Sequence, residues 1–198
     1  MTPTQAHGHF CDMIQKLRNM EPSPWPFLCA AAMLDYLAKM AIGSGRSAYK
    51  QFIRQHMKQE YRDFQFANGD KDLPEQLYHV LRCGVVHSFS LTPDVAQYPN
   101  GRNESIIIAH EGHHLARYSG ADGHHPDAVC LVFKDFVDDI EGALTKLFSD
   151  AQTDTALLAR IHQHLKSNPP VVGLPRAAVP LTFRSSTFTP AASGSTHL

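Results

Sequence analysis

The sequence has little that would draw the whole molecule to nucleic acid or to a bilayer. Lys and Arg number 18 against 19 Asp and Glu, and the formal net charge of −1 gives no global attraction to a polyanion. Any RNA binding must therefore rest on local patches. No apolar run approaches the roughly 18 residues needed to span a bilayer; the longest candidate, Phe27 to Ile42, is interrupted by Asp35 and Lys39. Four cysteines, Cys11, Cys29, Cys83 and Cys130, form no C-x-x-C pair, and the N-terminus carries no apolar signal segment. Reduced thiols in a cytoplasm, and no membrane partner, are the expectation.

What is present is apolar periodicity. With 198 residues, 43% of them hydrophobic, the chain is the size of one domain plus appendages. Phe10, Met13, Ile14 and Leu17 recur at helical spacing within 5–19, and Pro22, Pro24 and Pro26 then break the chain. A second helix, Pro26 to Ile42, is rich in Ala and Leu and predicts burial on most sides. Its Ala30, Ala31 and Ala32 would let another helix approach closely, within the fold or across a dimer axis. A third helix is predicted from Arg46 to Arg62, with Tyr49, Phe52, Ile53, Met57 and Tyr61 inward. On its other side Arg46, Lys50, Arg54, Lys58 and Arg62 fall four apart, a row that drifts about 40° per step and makes a slowly winding basic ridge. Such a ridge is either a solvated face or a track for RNA phosphates.

Asn68-Gly69-Asp70 is turn chemistry, and the stretch from Lys71 to Ser90 follows it. Leu73, Leu77, Val80, Leu81 and Val85 give it one buried helical face, with Asp72 as N-cap and Pro74 in the first turn. Near its end stand Arg82 and His87, with Gly84 between them. Five residues advance an α-helix by about 140°, so the pair does not share a face. Either the helix loosens after Gly84 or two copies of it face each other.

Beyond His87, Pro93, Pro99 and Asn100-Gly101 mark a loop, and Ser105 to Ala109 has the β-branched density of a strand. His114 to Tyr118 is expected to pair back with it across Glu111-Gly112, and Ala128 to Phe133 to add a third strand after the loop Ser119 to Asp127. A further helix carries Phe136, Val137, Ile140, Leu144, Leu147 and Phe148 on one face, with Asp135 as candidate N-cap; the last runs from Asp154 to Lys166. The Pro/Ser/Thr-rich tail, 167–198, shows no helical period.

An arginine and a histidine at one site suit RNA cleavage. Imidazole, titrating near neutrality, can take the proton of a ribose 2′-OH or give one to the leaving 5′-oxygen. Guanidinium can hold the scissile phosphate and the extra charge of its transition state, with no metal required. The sequence LYHVLRCGVVHSFS resembles the R-x4-6-H signature of the HEPN superfamily, small all-helical proteins that include many prokaryotic ribonucleases of toxin–antitoxin and anti-phage systems. Trp25 to Lys39 is similar to the core helix that precedes the motif in that family. The resemblance implies a mainly α, HEPN-like bundle over 1–166, with a small β insertion at about 105–133. It also implies a homodimer whose two motifs share one cleft, with an antitoxin or defence-system partner. By the same analogy Arg82 and His87 carry over as catalytic. Tyr78, one turn before Arg82, and Cys83 join Arg46, Lys50, Arg54 and Lys58 as expected RNA contacts. Cys83 stands where many active members have a polar residue, often Asn, and Phe89 where one toxin branch has a modifiable tyrosine.

A second motif competes. His110-Glu111-Gly112-His113-His114 reads H-E-x-x-H, which in zinc proteases puts two ligands and a base on one helix. The Ile106 to Ile108 run favours a strand before it, Gly112 weakens a helix within it, and Arg117 and Gly120 stand where the extended motif wants glycine and histidine. The expectation is therefore a ribonuclease without cofactor or metal ligands. A non-catalytic nucleotide- or partner-binding module, and a zinc hydrolase through His110, Glu111 and His114, are the alternatives.

Overall fold

The computed structural model describes residues 1–21, 23–66, 72–85, 104–118 and 127–170. Helices α1 (Pro3–Arg18), α2 (Pro24–Ala41), α3 (Arg46–His56), α4 (Glu60–Asp63) and α5 (Leu73–Gln76) lead directly into a π-helix, Leu77–Val85. Strands β1 (Glu104–Ala109), β2 (Arg117–Tyr118) and β3 (Asp127–Val132) precede α6 (Phe133–Thr153) and α7 (Thr155–Ser167). The protein is mainly helical with a small three-stranded sheet. Among the described residues, no single helix is long and apolar enough to cross a membrane.

Helix α2 is the axis of the bundle. It packs against α3, α6, α7 and the π-helix, and Phe27, Ala30, Ala31, Leu34, Leu37 and Ala41 are fully buried along it. The alanines let neighbours close in, while Phe27 stacks on Phe136 of α6 with ring centroids 6.2 Å apart. A capping box at Thr2 and Gln5 starts α1, and Arg18 in its last turn clamps Asp138 and Glu141 of α6. The helix expected from Arg46 to Arg62 is two pieces: Met57 is extended (φ −81°, ψ 169°), so α3 stops at His56 and the chain resumes as the short α4. Lys58 and Arg62 therefore leave the row begun by Arg46, Lys50 and Arg54.

Asp72 caps α5 by accepting a hydrogen bond from the Glu75 amide, and Leu73, Leu77, Val80 and Leu81 are fully buried, as their spacing predicts. The turn itself is wider than expected. From Leu77 to Val85 the backbone bonds i to i+5 in place of i to i+4, a rare pattern that adds a residue to each turn. Loosening thus begins well before Gly84. Residues 67–71 and 86–103, which include the Asn68-Gly69 turn and His87, lie outside the described residues, as do the loop 119–126 and the tail from 171.

The sheet corrects the expected hairpin. Its order is β1-β3-β2: β1 runs parallel to β3, and β2 pairs antiparallel with β3, not with β1. Six consecutive pairs, Glu104 with Asp127 through Ala109 with Val132, zip β1 to β3, leaving β2 only two residues on the far edge. Ile106, Val129 and Leu131 are buried in the bundle's core. Strand β3 continues into α6 with no intervening loop, so Val132, not Asp135, is the N-cap, and Asp135 lies in the first turn. Helix α7 is capped by Asp154, which accepts from the Leu157 amide.

Candidate functional site

Arg82 projects from the π-helix at the bundle's surface, its side chain 23% exposed, and is held from several directions. Its Nε lies 3.5 Å from Asp35 Oδ1 of α2, its guanidinium carbon 5.5 Å from the centroid of the Tyr78 ring, and its Nη1 3.9 Å from Cys83 Sγ. The i, i+4 spacing puts Tyr78 beneath Arg82, and Tyr49 of α3 meets Tyr78 edge-on at 5.6 Å, fixing the ring that carries the cation. Partial burial works against the guanidinium charge. The Cys83 thiol and the Asp35 carboxylate more than offset it and raise Arg82 above its ordinary pKa. Burial, with Cys83 and Asp35, pushes the Tyr78 phenol up as well, so Tyr78 offers an aromatic face and a neutral hydroxyl.

Three of the residues singled out by sequence, Tyr78, Arg82 and Cys83, thus form one cluster. His87 follows two residues after the last described turn. Asp35 was legible only as an interruption of an apolar helix; in the fold it is the anchor of the cluster and also takes Lys39, with Nζ 2.6 Å from Oδ2.

The ridge residues point elsewhere. Arg46 and Lys50 both pair with Glu75, Arg54 pairs with Asp72, and Lys58 pairs with Asp139 of α6. Glu75 also accepts a hydrogen bond from His79 Nε2 at 2.7 Å. Burial would raise the Glu75 carboxyl, yet the bonds from Lys50, Arg46 and His79 bring it below its usual range. These cations therefore fasten α3 to the α5/π-helix segment and the α3–α4 corner to α6.

The H-E-x-x-H stretch is not helical: β1 ends at Ala109 and the chain bends through His110 to Leu115. His114 Nδ1 accepts the Val132 amide at 3.0 Å, which leaves the ring proton on Nε2 to donate to Asp139 Oδ2 at 3.0 Å. Tyr61 OH donates to the same oxygen at 2.9 Å. Burial opposes the Asp139 charge, but the bonds from His114, Lys58 and Tyr61 prevail and lower its pKa. Both nitrogens of His114 are committed to this knot, which ties the β insertion to α4 and α6. Leu115, next along, has φ +58°, a costly conformation for a branched side chain. Among the described residues, no group of three or more His, Cys, Asp or Glu side chains is placed to hold a metal ion.

Comparison with protein-family models, with curated proteins and with solved structures finds no match to this chain in any of the three.

Proposed function

We propose that this protein is a metal-independent endoribonuclease of the HEPN type, working as a homodimer in growth arrest or phage defence, with Arg82 and His87 as its catalytic pair. The observation that supports it is the fixing of Arg82: a guanidinium braced by Asp35, Tyr78 and Cys83 on a rare π-turn, in a mainly helical bundle. A guanidinium held in advance stabilises the growing charge of a phosphoryl transition state without reorganising at the moment of reaction. In the reaction, His87 as base takes the proton of the ribose 2′-OH, and O2′ attacks the adjacent phosphorus. The P–O5′ bond breaks as the partner's His87, as acid, protonates O5′. Arg82 neutralises the phosphorane-like charge. The products are a 2′,3′-cyclic phosphate and a 5′-hydroxyl, so protons and charge balance with no metal.

The contact between Cys83 Sγ and Arg82 Nη1 favours a second reading, a HEPN-like module that binds nucleotide without cutting, because the thiol occupies a face a phosphate would use. Total RNA and defined tRNAs in excess EDTA decide between them, with wild type compared with Arg82→Ala and His87→Ala after folding and dimerisation are checked. Cleavage by wild type with cyclic phosphate ends, reduced about 100- to 1,000-fold in Arg82→Ala, is expected, the range seen when one transition-state donor is removed. No cleavage by wild type supports the binding module, and cleavage undiminished in both variants overturns the assignment of the site.

A further inference from the structure

Between the C-terminal end of α2 and one face of α7 lies a hollow of about 470 Å³. Lys39, Arg160, Gln163, His164, Ser167 and Asn168 give it donor-rich walls over an apolar floor, and none of the described residues lining it is acidic. Two of these side chains are cationic, Lys39 and Arg160, and Lys39 is already paired with Asp35. Arg160 donates through Nε to the Ala41 carbonyl at 3.0 Å, which orients its guanidinium. Among the described residues it meets no carboxylate. Lys39 reaches into the same hollow while sharing Asp35 with Arg82, one carboxylate oxygen to each cation.

That shared carboxylate places the hollow beside the candidate catalytic arginine. Lys39 and Arg82 stand on either side of a single Asp side chain, within the span of neighbouring phosphates on one strand. Lys39 thus belongs to both places: it lines the hollow with Arg160 and shares a carboxylate with Arg82. We propose that the hollow between α2 and α7 is a phosphate subsite, which holds the phosphate flanking the scissile one in a single-stranded RNA through Lys39 and Arg160. The inference rests on the ribonuclease reading for its neighbour at Arg82, but the subsite binds phosphate whether or not the bond at Arg82 is cut.

His164 reports on it. Its ring meets Tyr36 edge-on at 5.0 Å, its Nε2 is buried without a hydrogen-bond partner, and burial followed by the charge of Lys39 lowers its pKa. Lys39 and Arg160 are the cations that line the hollow with it, so a phosphate arriving there moves the His164 pKa up.

The test has two arms, both on the full-length chain. In the first, the His164 ring resonances are followed by NMR during titration with inorganic phosphate, with sodium chloride at matched ionic strength as control. A saturable shift and an upward move of the His164 pKa, both absent in the Lys39→Gln/Arg160→Gln double variant, are expected. A shift that chloride reproduces in full overturns the subsite.

In the second arm, a 2′-O-methyl oligoribonucleotide, which lacks the attacking hydroxyl and is not cut, is bound at several salt concentrations. Each single charge removal, Lys39→Gln or Arg160→Gln, is expected to weaken binding about 5- to 10-fold and lower the slope of log affinity against log salt by about 0.7. Arg160→Lys, which keeps the charge but loses the bond to Ala41, retains the slope; if it behaves as Arg160→Gln, the arginine serves only the helix end and the subsite falls. Unchanged slopes in all variants, with RNA cleaved in an Arg82-dependent way, sink the subsite and spare the ribonuclease. Charge-sensitive binding with no cleavage of any RNA does the reverse.

Discussion

Along α3, Arg46, Lys50 and Arg54 each reach a carboxylate, whereas Lys39, Arg82 and Arg160 have one, Asp35, among them within the described residues. The first group has the more regular spacing in sequence and would attract attention first; the second is scattered over three helices. What separates them is the acid each meets after folding. Asp72 and Glu75, on the segment that docks against α3, turn a row of charges into a seam between helices. Around Asp35 two cations, Lys39 and Arg82, divide one carboxylate, and Lys39 also lines the hollow with Arg160. Spacing locates charge, and only the fold shows whether it is already opposed.

The largest expected effect breaks the seam. Glu75 is nearly fully buried and meets three cationic or potentially cationic groups, so Glu75→Ala removes the carboxylate that Arg46, Lys50 and His79 share and leaves Lys50 with Asp72 at 3.8 Å. Removing one partner of such a buried pair costs about 3–5 kcal/mol. Urea unfolding of the variant should show that loss. A cost below about 1 kcal/mol would mean that the α3 cations do not hold the helices together and that the contrast between the faces is false.

Acid gives the next effect. Burial lowers the pKa of His56 from 6.5 to about 4, and both its ring nitrogens lack hydrogen-bond partners. The unfolded chain then takes up a proton at a pH where the folded one does not. The stability is fully present above about pH 6.5 and is lost as the pH falls toward 4. A shift of this size corresponds to about 3 kcal/mol, from 1.36 kcal/mol per pKa unit. Thermal melts between pH 7 and 4.5 should reveal it, and His56→Leu should flatten the curve in that window. Glu75 and Asp139, whose folded pKa values are lowered, act in a lower window: their stabilisation is present above the ordinary carboxylate range and fades as pH falls below it. A His56→Leu curve as steep as wild type above pH 5 would mean that His56 does not set the acid sensitivity in that window.

The smallest effect is the sharpest comparison. Arg54 is 46% exposed, so Arg54→Gln should cost about 0.2–1 kcal/mol of stability. Binding of the 2′-O-methyl oligonucleotide to this variant should keep the wild-type salt slope. A slope reduced as in Lys39→Gln would restore α3 as an RNA track and erase the distinction between the faces.

The helices were legible because burial imposes its period on sequence. Phe10, Ile14 and Leu17 in α1, and Phe136, Ile140, Leu144 and Leu147 in α6, are buried as their spacing predicts. The break at Met57 was hidden, since Tyr61 continues the apolar period across the corner and is buried from α4. The partner of β2 was hidden for a different reason: two residues, Arg117 and Tyr118, carry too short an alternation to say which strand they join. Tyr78, Arg82 and Cys83 were legible as neighbours along one helix. Asp35, Glu75 and Asp139 were not legible as anchors, because a carboxylate inside an amphipathic pattern reads as its polar side until the opposite wall is known. The hollow around Arg160 had no linear signal, its two sides lying some 120 positions apart along the chain, as Arg160 and Ala41 do.

The widened turn at Leu77–Val85 means that the aim of Arg82 is set by the type of helix together with the count of residues. Taking out one residue there, His79 for instance, while the backbone returned to 3.6 residues per turn would keep the number of turns, because the shorter segment and the larger rotation per residue offset each other. Such a chain would lose the wide turn and still direct its arginine toward Asp35. Within this segment a deletion is absorbed by a change of helix type, whereas the same deletion inside an α-helix such as α6 would turn every later side chain by about 100°.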